Sequence, residues 1–195
     1  MLIRLDESVF RAINGLAGRN RWVDGLAQLA VNDYLLPSAL ALILVWLWLR
    51  GRTPAEREAD CGTVINAVAA QFVANLAVKA VNLSHFRARP FDADPSTSLL
   101  FYRPWDSSCP SNPATFGFAV ATAIYLGSPC MGRWALGIAA VWGVARVYCG
   151  VHYPLDVILG AGLGASVAYW LSRRSASMDS TRRWFLAVLR KGMVA

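Results

Sequence analysis

The stretch LLPSALALILVWLWL, residues 35–49, runs for fifteen positions without a charged side chain. Apolar blocks of this kind recur along the chain. A backbone set in hydrocarbon must satisfy its own N–H and C=O groups, so blocks like these fold as helices. Five spans are expected, at about 34 to 50, 62 to 81, 113 to 128, 134 to 149 and 155 to 172. Several fall short of the roughly 20 apolar residues that cross a full hydrocarbon core. Local thinning of the bilayer, or polar ends lining a cavity, accommodates the shortfall. With 56% hydrophobic residues, 16% charged residues and a mean hydropathy of +0.40, the chain reads as an all-α integral membrane protein, a bundle of about five transmembrane helices.

A single domain is expected, with no internal repeat. Residues 1–33 form an N-terminal interfacial segment, 34–172 the transmembrane bundle and 173–195 a basic cytoplasmic tail. Leu5, Val9, Phe10, Ile13 and Leu16 fall roughly on one helical face, as in a helix resting on the membrane surface. No apolar core followed by a small-residue cleavage site precedes them, so a cleaved signal peptide is not expected. In the tail, Trp184, Phe185 and Val188 with basic neighbours fit either an inner-leaflet surface helix or a solvated segment.

The net charge of +7 raises the question of nucleic acid, but the basic residues gather at the ends of apolar blocks instead of forming a stripe interleaved with aromatics. Anionic membrane lipid is the expected partner, and nucleic acid is not. Arg50, Arg52, Arg57, Arg133, Arg173, Arg174, Arg182, Arg183, Arg190 and Lys191 lie on one side of the expected spans, and Arg4, Arg11, Arg19, Arg21, Arg87, Arg89 and Arg103 on the other. The first side is therefore read as cytoplasmic, which places the N-terminus and the loop 83 to 112 outside, in a cell inner membrane. The four cysteines show no metal-ligand spacing. They read as small buried apolar groups, with a Cys109–Cys149 bridge as the other reading.

Topology supplies the candidate site. Spans three and four form a hairpin, and span two leads into FRARPFD, so the stretches FRARP, CPSNP and RVYCGVHYPLD meet at one membrane face. Span two also carries Gln71, Asn75, Lys79 and Asn82 in a polar stripe rising toward Arg87 and Arg89. Arg89, Arg146 and Lys79, with Arg87, would gather positive charge suited to bidentate contact with phosphate. Ser111 and Asn112 open a helix at Pro113, where backbone N–H groups favour an anion. The expected ligand is a phosphate on a lipid. His152, flanked by the carboxylate of Asp156, can be held in one tautomer with its other nitrogen free to attack phosphorus. Arginines neutralising the phosphate oxygens let this covalent route run without a metal or cofactor.

These residues resemble the type 2 phosphatidic acid phosphatase superfamily, whose motifs are written KxxxxxxRP, PSGH and SRxxxxxHxxxD. Ala145, Arg146, His152 and Asp156 match the third, with alanine for the leading serine. Arg89 and Pro90 match the first, with Asn82 at the lysine position and Lys79 one turn earlier. Pro110 and Ser111 match the second, with Asn112 for glycine and Pro113 for histidine. The layout LDESVFRAINGLAG, RPF and PSNPAT looks like the bacitracin-resistance branch of undecaprenyl pyrophosphate phosphatases, over nearly the whole chain. The resemblance implies a phosphatase-like helical membrane fold, with His152 as nucleophile, Asp156 as its orienting carboxylate, and Arg89, Ser111 and Arg146 as phosphate binders.

By resemblance, the histidine that Pro113 replaces is the acid protonating the departing oxygen, and His85 in the outer loop is a candidate replacement. Three readings follow. The first is a phosphatase acting on a polyprenyl diphosphate at the outer face through phosphohistidine. The second is a descendant that binds lipid phosphates without efficient turnover. The third is a transporter-like bundle whose charges line a path, which the gathering of polar stretches at one face disfavours.

Overall fold

The computed structural model describes residues 2–177, with side chains from 3 to 174. The described residues form helices α1 (Leu2–Asn14), α2 (Arg21–Val31), α3 (Leu35–Arg50), α4 (Pro54–Ser84), α5 (Pro90–Ala93), α6 (Asn112–Gly127), α7 (Pro129–Tyr148) and α8 (Pro154–Ser177). A helix lies over each of the five apolar ranges. The residues assigned to a surface helix in the tail, Trp184 to Lys191, lie outside the described residues.

Local chemistry explains the helix ends. The sequence TPAE starts α4 with a capping box, in which Thr53 accepts from the Glu56 backbone N–H and the Glu56 carboxylate accepts from that of Thr53. Proline opens α6, α7 and α8, where its missing N–H has no intrahelical acceptor to serve. Among the described residues two helices, α4 and α8, are long and apolar enough to cross a membrane alone; α2 and α3 reach that length together, across a bend of 52°. Expected span one is thus preceded by a second helix. The bend falls at Asn32, whose side chain accepts from the N–H groups of Tyr34 at 2.8 Å and Leu35 at 3.4 Å, giving the backbone a turn in place of a helical bond.

The core centres on α6, which packs against α8, α7 and α4. Small residues let these helices close in, among them Ala67, Ala70 and Ala74 of α4 and Ala119, Ala121 and Ala123 of α6. Gly160 and Gly164 of α8 have the packing role their spacing suggests: a Cβ on Gly164 would stand 2.2 Å from the Thr115 carbonyl oxygen, and one on Gly160 would stand 2.5 Å from that of Ser111. At the same contact the Ser111 N–H donates to the Asp156 carbonyl at 3.0 Å, which joins the starts of α6 and α8. At the far end of the bundle Arg50 forms a two-bonded pair with Asp60, both bonds at 2.7 Å.

The N-terminal helix departs from expectation. Asp6, Phe10 and Asn14 form its buried face, and Phe10 packs edge-on to Tyr153 at 5.2 Å. Asn14 donates to the carbonyls of Ser98 and Tyr148 at 2.9 and 2.8 Å and accepts from the Ser98 N–H at 3.0 Å. Thus α1 clamps the loops of the candidate site, while Leu5, Val9 and Leu16 stay exposed on its other side. The apolar set read as one lipid-facing surface is divided between protein and surroundings, because a helix carrying two buried polar groups gains more by pairing them than by lying on lipid.

Candidate active site

The three polar stretches meet. Arg89 caps α5 in the loop after α4, Ser111 precedes α6, Arg146 ends α7, and His152 sits in the connection between α7 and α8. Gly150, with φ at 79°, turns that connection back, and a Cβ there would meet the Ser98 carbonyl oxygen at 2.7 Å.

His152 is fully enclosed. Its Nδ1 lies 2.8 Å from the carbonyl oxygen of Ser108. A carbonyl only accepts, so Nδ1 carries the proton and donates, and Nε2 keeps its lone pair. Nη1 of Arg89 donates to that nitrogen at 3.2 Å and to the Val151 carbonyl at 3.0 Å. His152 lies outside the membrane-spanning helices, and burial, followed by the charges of Arg89 and Arg146, holds its pKa well below the ordinary histidine value. The imidazole is therefore neutral at pH 7, the form in which nitrogen is nucleophilic.

The tautomer is set differently from expectation. Asp156 Oδ2 is 4.0 Å from Nδ1, too far for a hydrogen bond. It instead accepts from the Ser108 hydroxyl at 2.5 Å and the Tyr153 N–H at 3.0 Å, so it holds the loop whose carbonyl holds the ring. Its other oxygen pairs with Arg87 at 2.5 Å, and Arg87 also pairs with Asp6 at 2.7 Å.

The arginines are not bare positive charges either. Arg89 forks onto Asp106, through Nε to its backbone carbonyl at 3.0 Å and Nη2 to its carboxylate at 2.7 Å. Arg146 ion-pairs with Asp33 and lies near the rings of Phe101 and Trp142, at 5.0 and 5.5 Å. The three arginines face four aspartates, so the positive charge expected to gather here is paired within the site; buried guanidinium requires such partners.

Four buried side-chain atoms lack a hydrogen-bond partner among the described residues: the Ser111 hydroxyl, Nε of Arg146, Nε1 of Trp142 and Oδ1 of Asn82. The first two sit where sequence placed phosphate contacts, and a buried polar group left unpaired there leaves a bonding position that a phosphate oxygen can fill. Asn82 Oδ1 is similarly unpaired on the half-buried side of α4. Lys79 is exposed, and among the described residues it has no hydrogen bond or ion pair; Asn112 is exposed at the start of α6. His85 caps α4 and is exposed. Cys109 and Cys149 are both unbridged thiols, which corrects the bridged reading of the pair. Burial pushes the Cys109 thiol up to about 11, so it is not a nucleophile at neutral pH.

Sequence reasoning missed Ser108, Asp106, Asp33 and Asp6. Asp6 had a signal, since Asp6, Phe10 and Asn14 recur every fourth residue. Ser108 adjoins CPSNP but acts through its backbone carbonyl, which no side-chain pattern reports.

A helical membrane bundle that closes arginines, a serine and a neutral histidine around one point is the arrangement of a membrane phosphatase. The chain belongs to the PAP2 superfamily, whose family model matches residues 61–177. It is 31% identical over 167 residues to the "Bacitracin transport permease protein BcrC" of Bacillus licheniformis, covering 86% of this chain and 79% of that protein. It is 29% identical to the "Undecaprenyl-diphosphatase BcrC" of Bacillus subtilis (strain 168), covering 79% and 76%. The crystal structure of Aquifex aeolicus LpxE shares its fold, with a TM-score of 0.69 at 24% identity over 87% of this chain and 95% of that one.

Proposed function

We propose that this protein hydrolyses a polyprenyl diphosphate of the undecaprenyl type to the monophosphate, with Nε2 of His152 as nucleophile. The observation that carries the reading is the lone pair of that nitrogen, fixed by the Ser108 carbonyl and facing the Arg89 guanidinium at 3.2 Å. The name of the Bacillus subtilis relative supports the substrate class. Nε2 attacks the terminal phosphorus, an Nε2–P bond forms, and the bridging P–O bond breaks to release the lipid monophosphate. Water then attacks phosphorus, the Nε2–P bond breaks, and inorganic phosphate leaves. Arg89, Arg146 and Ser111 hold the phosphate oxygens, and the charge they meet there is worth most in a site closed to water. Arg87 serves differently, by clamping Asp6 to Asp156.

Pro113 points to the diphosphate. Expelling an alkoxide from a lipid monophosphate needs a proton, whereas a departing phosphate has a pKa of about 6 and leaves without one. A descendant that only binds lipid phosphates has no use for a tautomer-fixed, neutral histidine, and that favours turnover.

The chain is placed in a cell inner membrane as one domain of five crossings, α3, α4, α6, α7 and α8. The site is assigned to the outer side because the basic residues on the other side of the expected spans outnumber those on its own, ten to seven. The test is phosphate release from a prenyl diphosphate by detergent-purified protein beside a His152→Ala variant. Release by the parent and none by the variant is expected; equal release by both would remove His152 from the chemistry.

A further inference from the structure

The four aspartates around the arginines fall into two kinds. The side chains of Asp6 and Asp156 are 3% and 0% exposed, and both pair with Arg87. Those of Asp33 and Asp106 are 35% and 44% exposed, and they pair one each with Arg146 and Arg89. A buried carboxylate in a closed network is fixed, whereas one that reaches solvent can leave its partner and be rehydrated at small cost.

The elements bearing the second kind also differ. Asp33 stands at the bend between α2 and α3, and its second oxygen accepts from the hydroxyl of Tyr102 at 2.8 Å. Tyr102 and Asp106 belong to the long segment between α5 and α6, outside any helix. Opposite Asp33, Arg146 is 2% exposed and carries the unpartnered Nε. A phosphate reaching that nitrogen meets Asp33 on the same guanidinium. One reaching Nε2 of His152 meets the arginine that Asp106 holds.

We propose that Asp33 and Asp106 are displaceable counter-ions of the phosphate site, one for each phosphate-binding arginine, that yield to an incoming phosphate and retake the guanidinium as phosphate leaves. This rests on Arg89 and Arg146 being the phosphate binders of the proposed function. They hold the arginines in place between turnovers and oppose tight retention of the inorganic phosphate product. The ligand chemistry is a dianionic phosphate, which a lipid diphosphate and free phosphate both present.

The test is calorimetric titration of the full chain in detergent with inorganic phosphate and, in the His152→Ala background, with a prenyl diphosphate. Asp33→Asn and Asp106→Asn are each expected to tighten both ligands by up to about fivefold, the upper range for one exposed ion pair. Asp92→Asn removes the same charge from α5, where it pairs with Arg103 at 3.7 Å, and is expected to leave both affinities unchanged. Should Asp33→Asn fail to fold, Tyr102→Phe loosens Asp33 without removing its charge, and it and Asp106→Asn decide the matter; Tyr102→Phe is expected to tighten phosphate by about twofold. Unchanged or weaker binding in these variants, equal tightening in Asp92→Asn, or tightening of the lipid alone would each overturn the proposal. Inorganic phosphate is not turned over, so full activity in His152→Ala would defeat the proposed chemistry while the phosphate titration stays separately legible.

Discussion

Nη1 of Arg89 stands 3.2 Å from Nε2 of His152, and the same nitrogen of the arginine bonds the Val151 carbonyl beside the histidine. One guanidinium thereby holds the backbone next to the proposed nucleophile and faces the nitrogen proposed to attack phosphorus. A lysine could supply the charge but not the planar fork that also grips Asp106. Arg89→Lys is therefore expected to lower kcat/KM for a prenyl diphosphate by about 10²-fold, the scale for losing one fixed donor to a developing charge. Steady-state phosphate release measures it, and a loss under about threefold would assign Arg89 to structure alone.

Ser108 supports His152 through its carbonyl and Asp156 through its hydroxyl. Ser108→Ala keeps the first and deletes the second, leaving a buried carboxylate oxygen with only the Tyr153 N–H. The expected result is a 10- to 100-fold fall in kcat, from about 1.5–3 kcal/mol for a hydrogen bond to a charged group, with little change in KM. Combined with Asp156→Asn, the effects should fall short of the product of the two, since both act on one loop. A KM change in Ser108→Ala as large as the change in kcat would place Ser108 in substrate binding instead.

How much of this was readable beforehand depended on whether a residue acts by its side chain along a regular element. Arg146, His152 and Asp156 follow one another at fixed spacing across a single turn, and the hairpin of α6 and α7 had to bring them back to Ser111. The Ser108 carbonyl could not be read, because every residue has one and only the path of the loop aims it. Asp33 and Asp106 were equally hidden, since an acidic residue at a span's end resembles ordinary solvation. The N-terminal helix misled for a different reason: its apolar residues satisfy a lipid-facing pattern, and only the partners of Asp6 and Asn14 reveal that it docks on protein. Gly160 and Gly164 pack as their spacing implies, because small residues four apart have few other uses in an apolar helix.

Neutral His152 has a consequence for pH. Its folded pKa lies below the ordinary value near 6.5, which it regains on unfolding. The unfolded chain then binds more protons in that window, so the histidine's contribution to stability is present above about pH 6.5 and is lost as pH falls toward the folded pKa. Melting temperature in detergent should drop on acidification below about 6.5, and His152→Asn should flatten that part of the profile. Activity should persist below the usual histidine range for the same reason. A parent and variant with parallel stability profiles would contradict the assignment of a depressed pKa.

The approach of α6 to α8 sets the distance between Ser111 and Asp156. A methyl on Gly164 would overlap the Thr115 carbonyl oxygen at 2.2 Å, a backbone atom that cannot rotate away. Gly164→Ala should cost about 1–3 kcal/mol, as forced overpacking does, and should lower activity by spreading the helix starts. Gly162 has open space around its missing Cβ, so Gly162→Ala serves as the matched control and should be neutral or slightly stabilising. Thermal unfolding in detergent of the two variants separates packing from helix propensity.

Pro113 stands at the start of α6, two residues after Ser111, where the family motif has histidine. Without an acid at that place, the rate depends on how well the leaving group departs unprotonated, so the parent protein should strongly prefer a prenyl diphosphate to phosphatidic acid. Restoring the acid should help the poorer leaving group most. Pro113→His is expected to raise phosphatidic acid hydrolysis by about 10²-fold, the lower end of general acid catalysis, and to change diphosphate hydrolysis by less than about threefold. The helix start tolerates the exchange because proline at this position contributes no hydrogen bond that histidine would lose. Paired kcat/KM values for the two lipids in parent and variant make the measurement. A parent enzyme already equal on both substrates would mean that another group supplies the proton, and His85→Asn would then show whether the remaining histidine is that group.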